Sequence, residues 1–162
     1  MQIRKIDQSE AKIFFDCMKS IDQETKFMMF EPGERQFDED LIVNNLSNEN
    51  DLFLGAFSEH EIVGFLAAKR GSFRRIRHSA YIVIGIRQNF QRQGIGSKLF
   101  DKLDEWARRN QLKRLELTVE VGNEPAINLY EKQGFISEGI KKKTTLVDGE
   151  FVDEYMMAKL YI

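Results

Sequence analysis

Three apolar runs followed at once by a helical pattern limit the folds open to this chain. Residues 51–57, 62–69 and 78–86 are apolar stretches of strand length, and polar or glycine-containing segments separate them. Such runs predict three buried strands joined as an antiparallel meander. The next apolar residues, Ile95, Leu99, Leu103 and Trp106, are spaced three or four apart, so a helix is expected over 94–108. A chain with both patterns folds neither as a helical bundle nor as an all-β sandwich.

The remaining segments complete an α/β pattern. Residues 2–6 alternate as a strand, Asp7 to Glu10 form a capping box that opens a helix, and Asp38 caps a second helix ending near Leu46. A strand over 112–121 and a helix from 123 or 124 to 132 follow, and Asp148-Gly149 predicts a hairpin between 135–147 and 151–160. We expect one domain over 1–162, with a mixed, mostly antiparallel sheet of about seven strands and about four helices. The order is β-α-α-β-β-β-α-β-α-β-β.

Composition excludes several classes of site. Cys17 is the only cysteine and His60 and His78 are the only histidines, which rules out an internal disulfide and disfavours a metal site. No apolar run approaches the roughly 20 residues of a membrane span. We therefore expect a soluble, cytoplasmic protein without a metal or a membrane partner.

Charge is distributed in two opposite blocks behind a formal total of −2. Residues 22–51 carry nine acidic and two basic residues, whereas residues 69–114 carry thirteen basic and three acidic ones. Two sites of opposite electrostatic character are indicated. Because basic charge does not prevail overall, we expect no nucleic-acid partner.

A glycine-containing loop lies between the third meander strand and the following helix. It reads Gln91, Arg92, Gln93, Gly94, Ile95, Gly96, Ser97. Glycines let the backbone approach a ligand, and the free amides of a helix N-terminus attract anions, above all phosphate. The loop is not a Walker motif or a dinucleotide fingerprint. The alternative is a helix start whose glycines serve only close packing.

A second motif follows the next strand and runs from Asn123 through Ala126, Tyr130 and Gly134 to Phe135. Together with Gln91, Gly94 and Gly96 of the first loop, it resembles the motifs of the GNAT superfamily of acetyl-CoA-dependent N-acetyltransferases. The order of elements is also that of the superfamily, so the resemblance covers nearly the whole chain.

The resemblance implies acetyl-CoA as co-substrate. The amides of residues 91–97 would hold the pyrophosphate, and the backbone of Ile84 and Ile86 would pair with the pantetheine arm. Asn123 would hydrogen-bond that arm, and Tyr130 would reach the thioester sulfur. For the 3′-phosphate the alternatives are Arg92, Lys98 and the basic cluster over 69–77.

Catalytic roles are also implied. Acetyl transfer to an amine needs a proton acceptor, a bound oxyanion and a protonated leaving thiolate. Tyr130 is the expected acid, with core packing as its alternative role, and a backbone N–H near Ile86 would bind the oxyanion. Relatives often carry Glu where this chain has Tyr81, which leaves the base open among Glu120, Glu31, Glu34 and a chain of waters. Direct attack in a ternary complex is implied, without an acyl group on Cys17.

The acidic block over 22–51 favours a small cationic acceptor amine, similar to a polyamine or an aminoglycoside. A protein or peptide amine is the second hypothesis, and a catalytically silent coenzyme A binding module is the third. The sequence is compatible with a monomer and with a homodimer.

Overall fold

A mixed seven-stranded sheet forms the centre of this computed structural model, which describes residues 1–162. The strands are β1 (Gln2–Lys5), β2 (Leu52–Ser58), β3 (Glu61–Arg70), β4 (Ser79–Ile86), β5 (Arg114–Glu120), β6 (Ile136–Val147) and β7 (Glu150–Leu160). Their spatial order is β1-β2-β3-β4-β5-β7-β6, and only β4 and β5 are parallel. The predicted meander is the antiparallel set β2-β3-β4. The α/β fold class and the order of elements are confirmed.

Four helices pack on the sheet, and the predicted capping signals of Asp7 and Asp38 precede the first two. They are α1 (Ala11–Glu24), α2 (Glu39–Ser47), α3 (Ile95–Arg109) and α4 (Glu124–Lys132). Asp7 forms the capping box, although a 3-10 turn over Gln8–Glu10 precedes α1. The Asp38 side chain accepts from the Leu41 amide at 3.1 Å at the start of α2. None of the four helices is both long and apolar enough to cross a membrane.

The sheet separates two apolar cores. On one face α3 and α4 bury Leu99, Phe100 and Leu103 against the inward side chains of β2 to β5 and β7. On the other face α1 and α2 pack on β2 and β3, and the Phe14 and Phe65 rings meet edge to face at 5.4 Å. Burying apolar surface on both faces orients every strand, because neighbouring side chains of a strand point to opposite sides.

β4 and β5 form a fork. Their parallel pairing covers only Ser79–Tyr81 with Arg114–Glu116, and beyond these residues the two strands do not pair. The Arg87 amide donates to the Val63 carbonyl of β3 at 2.8 Å. Backbone groups alternate sides along a strand, so those of Ile84 and Ile86 point away from β3 and into the fork. An open backbone edge therefore lies in the middle of the sheet.

The β6–β7 hairpin reaches across towards the segment after α1. Its turn residues Asp148 and Gly149 have φ values of 51° and 82°, as a type I′ turn requires. The Asp148 carboxylate accepts from Lys26 Nζ at 2.5 Å. The hairpin tip and the α1–α2 connection thus meet on the α1 side of the fork.

Candidate active site

The loop between β4 and α3 presents unpaired backbone amides. Arg92 and Gly94 both adopt left-handed conformations, with φ values of 61° and 80°. No amide from residue 92 to residue 97 donates a hydrogen bond within the chain, and the first that does is Lys98, to the Gly94 carbonyl at 3.1 Å. Successive free amides in alternating conformations form a concave nest for anions, and the dipole of α3 reinforces it.

The two glycines of this loop have different roles. A Cβ at Gly94 would meet nothing within 4 Å, so the space above this residue is open to a ligand. A Cβ at Gly96 would lie 2.8 Å from Leu129 Cδ2 of α4. Gly96 therefore serves close packing against α4. Gly94 serves the left-handed backbone conformation and leaves the backbone open to a ligand.

Gln91 connects the loop to the fork. Its Nε2 donates to the Ile86 carbonyl at 3.2 Å, at the end of β4. The Ile84 and Ile86 side chains pack on the α3 core, while their backbone groups border the fork. The predicted pyrophosphate loop and the predicted pantetheine edge are thus continuous.

The basic cluster over 69–77 lies far from this loop. It occupies the β3–β4 connection at the start of β4, whereas the loop follows the end of β4. The seven residue steps of β4 separate the two ends by about 23 Å. Of the three alternatives for the 3′-phosphate, Arg92 and Lys98 are the ones at the loop.

Tyr130 lies in the core with its hydroxyl unpaired. The residue is 8% exposed, and its ring packs against Phe100 and Phe135 at 5.9 and 6.0 Å. Burial, and to a smaller extent the Tyr81 phenol, raise the pKa of Tyr130, with no hydrogen bond contributing. Tyr81 is on the opposite face of the sheet from the α3 core that contains Tyr130. The packing role and the acid role are compatible, because ring and hydroxyl serve different purposes.

Asn123 caps α4. Its Oδ1 accepts from the Ala126 amide at 3.4 Å. This cap uses only the acceptor atom, so the side-chain amide nitrogen is free to donate to a pantetheine carbonyl. The pantetheine contact itself stays a prediction.

Glu120 stands on β5 directly opposite Glu154 of β7. Both face away from the α3 core, since Leu117 and Val119 occupy that side. Burial first, and then the charge of Glu154, raise the pKa of Glu120. Lys141 is opposite Glu154 on the far strand, β6, but forms no ion pair with it. Like charges directly opposite each other cost stability, and a bound cation would remove that cost.

Several acidic side chains of the block over 22–51 form hydrogen bonds or ion pairs within the fold. Asp22 is 1% exposed and pairs with Arg35 at 2.7 Å, and Glu24 pairs with Arg87 at 3.2 Å. Glu34 accepts from the Glu31 amide at 3.2 Å in an exposed turn. The acidic character of the fork comes instead from β5 and β7, which the charge count along the sequence did not indicate.

Two further residues close the fork on the α1 face. The Tyr81 hydroxyl and Thr118 Oγ1 are 2.7 Å apart. Tyr81 is the last paired residue of β4, and Thr118 lies two residues beyond the last paired residue of β5. Thr118 lies between Glu116 and Glu120 in the alternating pattern of β5 and shares their face. That alternation was the only sequence signal, and it could not show which strand lies opposite.

Cys17 is buried in α1, and burial raises the pKa of its thiol to about 12. A thiol that stays protonated and out of solvent is a poor nucleophile.

Comparison with known proteins agrees with this geometry. The chain matches the acetyltransferase (GNAT) family over residues 15–135. It is 37% identical over 111 residues to the L-amino acid N-acetyltransferase AaaT of Escherichia coli K12, a match that covers 66% of this chain and 67% of that protein. A GNAT-family acetyltransferase from Streptococcus pneumoniae superposes with a TM-score of 0.92 at 28% identity and covers 99% of both chains. The Salmonella typhimurium protein yncA, solved with its cofactor acetyl-CoA, superposes with a TM-score of 0.86 at 19% identity, covering 99% of this chain and 93% of that one. The chain therefore belongs to the acetyltransferase (GNAT) family and is an acyltransferase.

Proposed function

We propose that this protein transfers the acetyl group of acetyl-CoA to a primary amine of a small cationic metabolite, by direct attack in a ternary complex. The observation that carries the proposal is the run of free amides over residues 92–97 at the end of an open strand edge. An anion nest continuous with an unpaired edge fits a ligand with a pyrophosphate at one end and an amide-containing arm beyond it.

The ligand would lie along the fork. The amides of residues 92–97 bind the pyrophosphate, and Arg92 or Lys98 meets the 3′-phosphate. The backbone of Ile84 and Ile86 pairs with the pantetheine arm as a neighbouring strand would, beside the bond that the Ile86 carbonyl accepts from Gln91. The Asn123 side-chain amide donates to the same arm. The thioester then lies within the fork, between Tyr130 and the β5 acids.

The chemistry divides between two side chains. The amine nitrogen attacks the thioester carbon, the C–N bond forms, and the C–S bond breaks. Glu120, or a water that it holds, accepts the proton that the amine loses, a task for which a raised pKa suits a carboxylate. Tyr130 keeps its proton at neutral pH and donates to the departing thiolate. A backbone N–H near Ile86 stabilises the oxyanion that forms between these steps.

Glu120 and Glu154 support a cationic acceptor. Two facing carboxylates attract ammonium groups and repel the carboxylate of an amino acid. The β6–β7 turn contacts Lys26 on this side of the fork, which supports a small molecule over a protein segment. The L-amino acid named for the AaaT relative is the specific alternative.

A thiol-release assay with acetyl-CoA tests the proposal against four amine classes: spermidine, aminoglycosides, L-amino acids and short peptides. We expect turnover with the first two. Turnover confined to L-amino acids would refute the cationic acceptor, and turnover confined to peptides would support the protein-amine alternative. Coenzyme A binding without turnover on any amine would identify a silent binding module.

A further inference from the structure

A polar cavity unconnected with the fork lies at the base of the β3–β4 connection. It measures about 490 Å³ and is lined only by polar and charged residues: Asn48, Asn50, Asp51, Lys69, Arg70, Ser72 and Arg77, with Gly71 between two of them. The length of β4 separates this cavity from the Gln91–Ser97 loop.

The three cations of the cavity are not neutralised within the chain. Lys69, Arg70 and Arg77 form no ion pair, and Lys69 Nζ contacts only the Asn45 side-chain oxygen, at 3.3 Å. The one carboxylate of the lining, Asp51, accepts instead from the Arg70 backbone amide at 3.0 Å and from Asn48 Nδ2 at 3.4 Å. Three positive charges therefore line the cavity together with one acid that is already bonded to neutral donors.

Arg70 is held ready for a ligand. Its Nε donates to the Arg77 carbonyl at 2.6 Å, and Asn50 Nδ2 donates to the Arg70 carbonyl at 3.1 Å. The first bond orients the side chain and leaves both terminal nitrogens of the guanidinium free, and the second fixes the backbone of Arg70. A guanidinium fixed in one orientation loses little entropy when it binds a planar or tetrahedral oxyanion in bidentate fashion.

The connection itself is rigid. The Gly71 amide donates to the Ser79 carbonyl at 2.9 Å, and the Ile76 amide donates to the Phe73 carbonyl at 3.0 Å. A Cβ at Gly71 would lie 2.2 Å from the Ile76 carbonyl oxygen, so only glycine permits this close return of the chain. Arg77 is thus carried on a folded turn, beside the end of β3 that carries Lys69 and Arg70.

We propose that this cavity is a second anion site, in which Arg70, Arg77 and Lys69 bind a phosphate or carboxylate group. Ser72 Oγ supplies a neutral donor beside them. The site is independent of the proposed acetyl transfer, because it shares no residue with the fork or its loop.

An NMR titration at constant ionic strength tests the site, with inorganic phosphate in one series and citrate in another. The protein is first saturated with coenzyme A, so that the loop amides are occupied. If coenzyme A does not bind, the backbone signals of residues 92–97 are followed separately from those of Asn50, Gly71 and Ser72. We expect saturable shifts of these three amides, and the ion that binds more tightly identifies the preferred oxyanion.

Arg77→Gln removes one cation of the cavity and leaves the backbone carbonyl that holds Arg70. We expect it to weaken anion binding about ten-fold or more. Arg74→Gln is the matched control, because Arg74 is exposed on the same connection but outside the lining, and its binding should equal that of the wild type. Absence of saturation in the wild-type protein, or equal weakening by the two variants, would overturn the proposal. Lys69→Gln repeats the test if Arg77→Gln does not fold.

Discussion

Among single side chains, Glu120 has the environment that best suits a proton acceptor. It is partly buried, faces Glu154, and has a raised pKa. We expect Glu120→Gln to lower kcat/KM for the amine about a hundred-fold at neutral pH, the lower range for general-base catalysis. Steady-state kinetics across pH check this. In the wild type, kcat/KM should rise with pH as Glu120 ionises, which gives the pH profile an acidic limb, and this rise should be absent from the variant. If the variant keeps the acidic limb, another group is the general base.

Glu154→Gln is the matched control for that variant. It removes the charge that, after burial, is the second cause of the raised pKa of Glu120, and it keeps the carboxylate of Glu120 itself. We expect turnover to persist, with the acidic limb of the pH profile moved to lower pH. An unmoved limb would show that the two carboxylates do not interact.

The same interaction predicts a pH-dependent stability. Folding raises the pKa of Glu120, so its contribution to stability is present below the unfolded pKa and is lost as pH rises through the folded pKa. Glu120→Gln should therefore raise Tm relative to the wild type at pH 8, and by less at pH 4. Thermal unfolding at both values measures the difference. A Tm gain that is larger at pH 4 would contradict the assignment.

Tyr130→Phe separates the roles of ring and hydroxyl. The ring contacts with Phe100 and Phe135 survive the change, and no hydrogen bond is lost within the chain. We expect kcat to fall ten-fold or more, by order of magnitude, while acetyl-CoA affinity and Tm stay near the wild-type values. Kinetics with calorimetry check the three quantities. Unchanged turnover would leave Tyr130 with a packing role alone.

At the scale of elements, the β4–α3 loop offers a pair of variants that differ only in charge. Asn and Asp both tolerate the left-handed backbone of Gly94, and nothing lies within 4 Å of a Cβ there. We expect Gly94→Asp to weaken acetyl-CoA binding about ten-fold or more relative to Gly94→Asn, because its carboxylate faces the pyrophosphate. Calorimetric titration measures both. Equal affinities would place the pyrophosphate elsewhere. Gly96 is a poorer probe because a side chain there collides with Leu129.

The hydrophobic pattern of the sequence does not indicate the fork between β4 and β5. Both strands have the sequence pattern of an ordinary strand along their full lengths. No residue in either strand marks the point where their pairing ends. The Tyr81–Thr118 hydrogen bond at that point joins residues 37 positions apart. Side chains that meet across such a separation depend on strand order, which local propensity does not encode.

At the scale of the whole molecule, the fold places most of the basic residues of the 69–114 block at one end of the sheet. The His78 carbonyl accepts from the Lys113 and Arg114 amides, which brings the end of α3 to the β3–β4 connection. Nine of the thirteen basic residues of the 69–114 block therefore lie at the end of the sheet away from the loop: Lys69, Arg70, Arg74, Arg75, Arg77, Arg108, Arg109, Lys113 and Arg114. The basic block over 69–114 therefore forms chiefly a basic pole at that end of the sheet. Only a minority of its basic residues lie where they could contact coenzyme A.

This pole should bind a cation-exchange resin at pH 7 and low salt despite the formal charge of −2. Adsorption follows the local field rather than the net charge. Replacing Arg74 and Arg75 by Gln should lower the salt concentration of elution. Replacing Lys12 and Lys19 of α1 by Gln changes net charge equally and should have little effect. Equal shifts for both double variants would mean that net charge governs binding.

The sequence alone determined the elements and their faces. Asp7, Asp38 and Asn123 cap helices because short polar side chains satisfy the free amides of a first turn locally. Asp148-Gly149 makes its turn because both residues tolerate positive φ. The spacing of Leu99, Leu103 and Trp106 places them in one core, since helical geometry alone sets that face. These signals act within a few residues, so they can be read along the chain.

Only the tertiary structure decided which distant groups meet. In the folded chain Glu120 lies opposite Glu154, and Asp22 and Glu24 form ion pairs with arginines. Most residues of the basic block lie together at one end of the sheet. The electrostatic energy of two charges depends on their separation in space and on their burial, and neither follows from their distance along the sequence. The motifs therefore indicated where coenzyme A would bind, whereas the acidic side of the fork emerged only once β5 and β7 lay side by side.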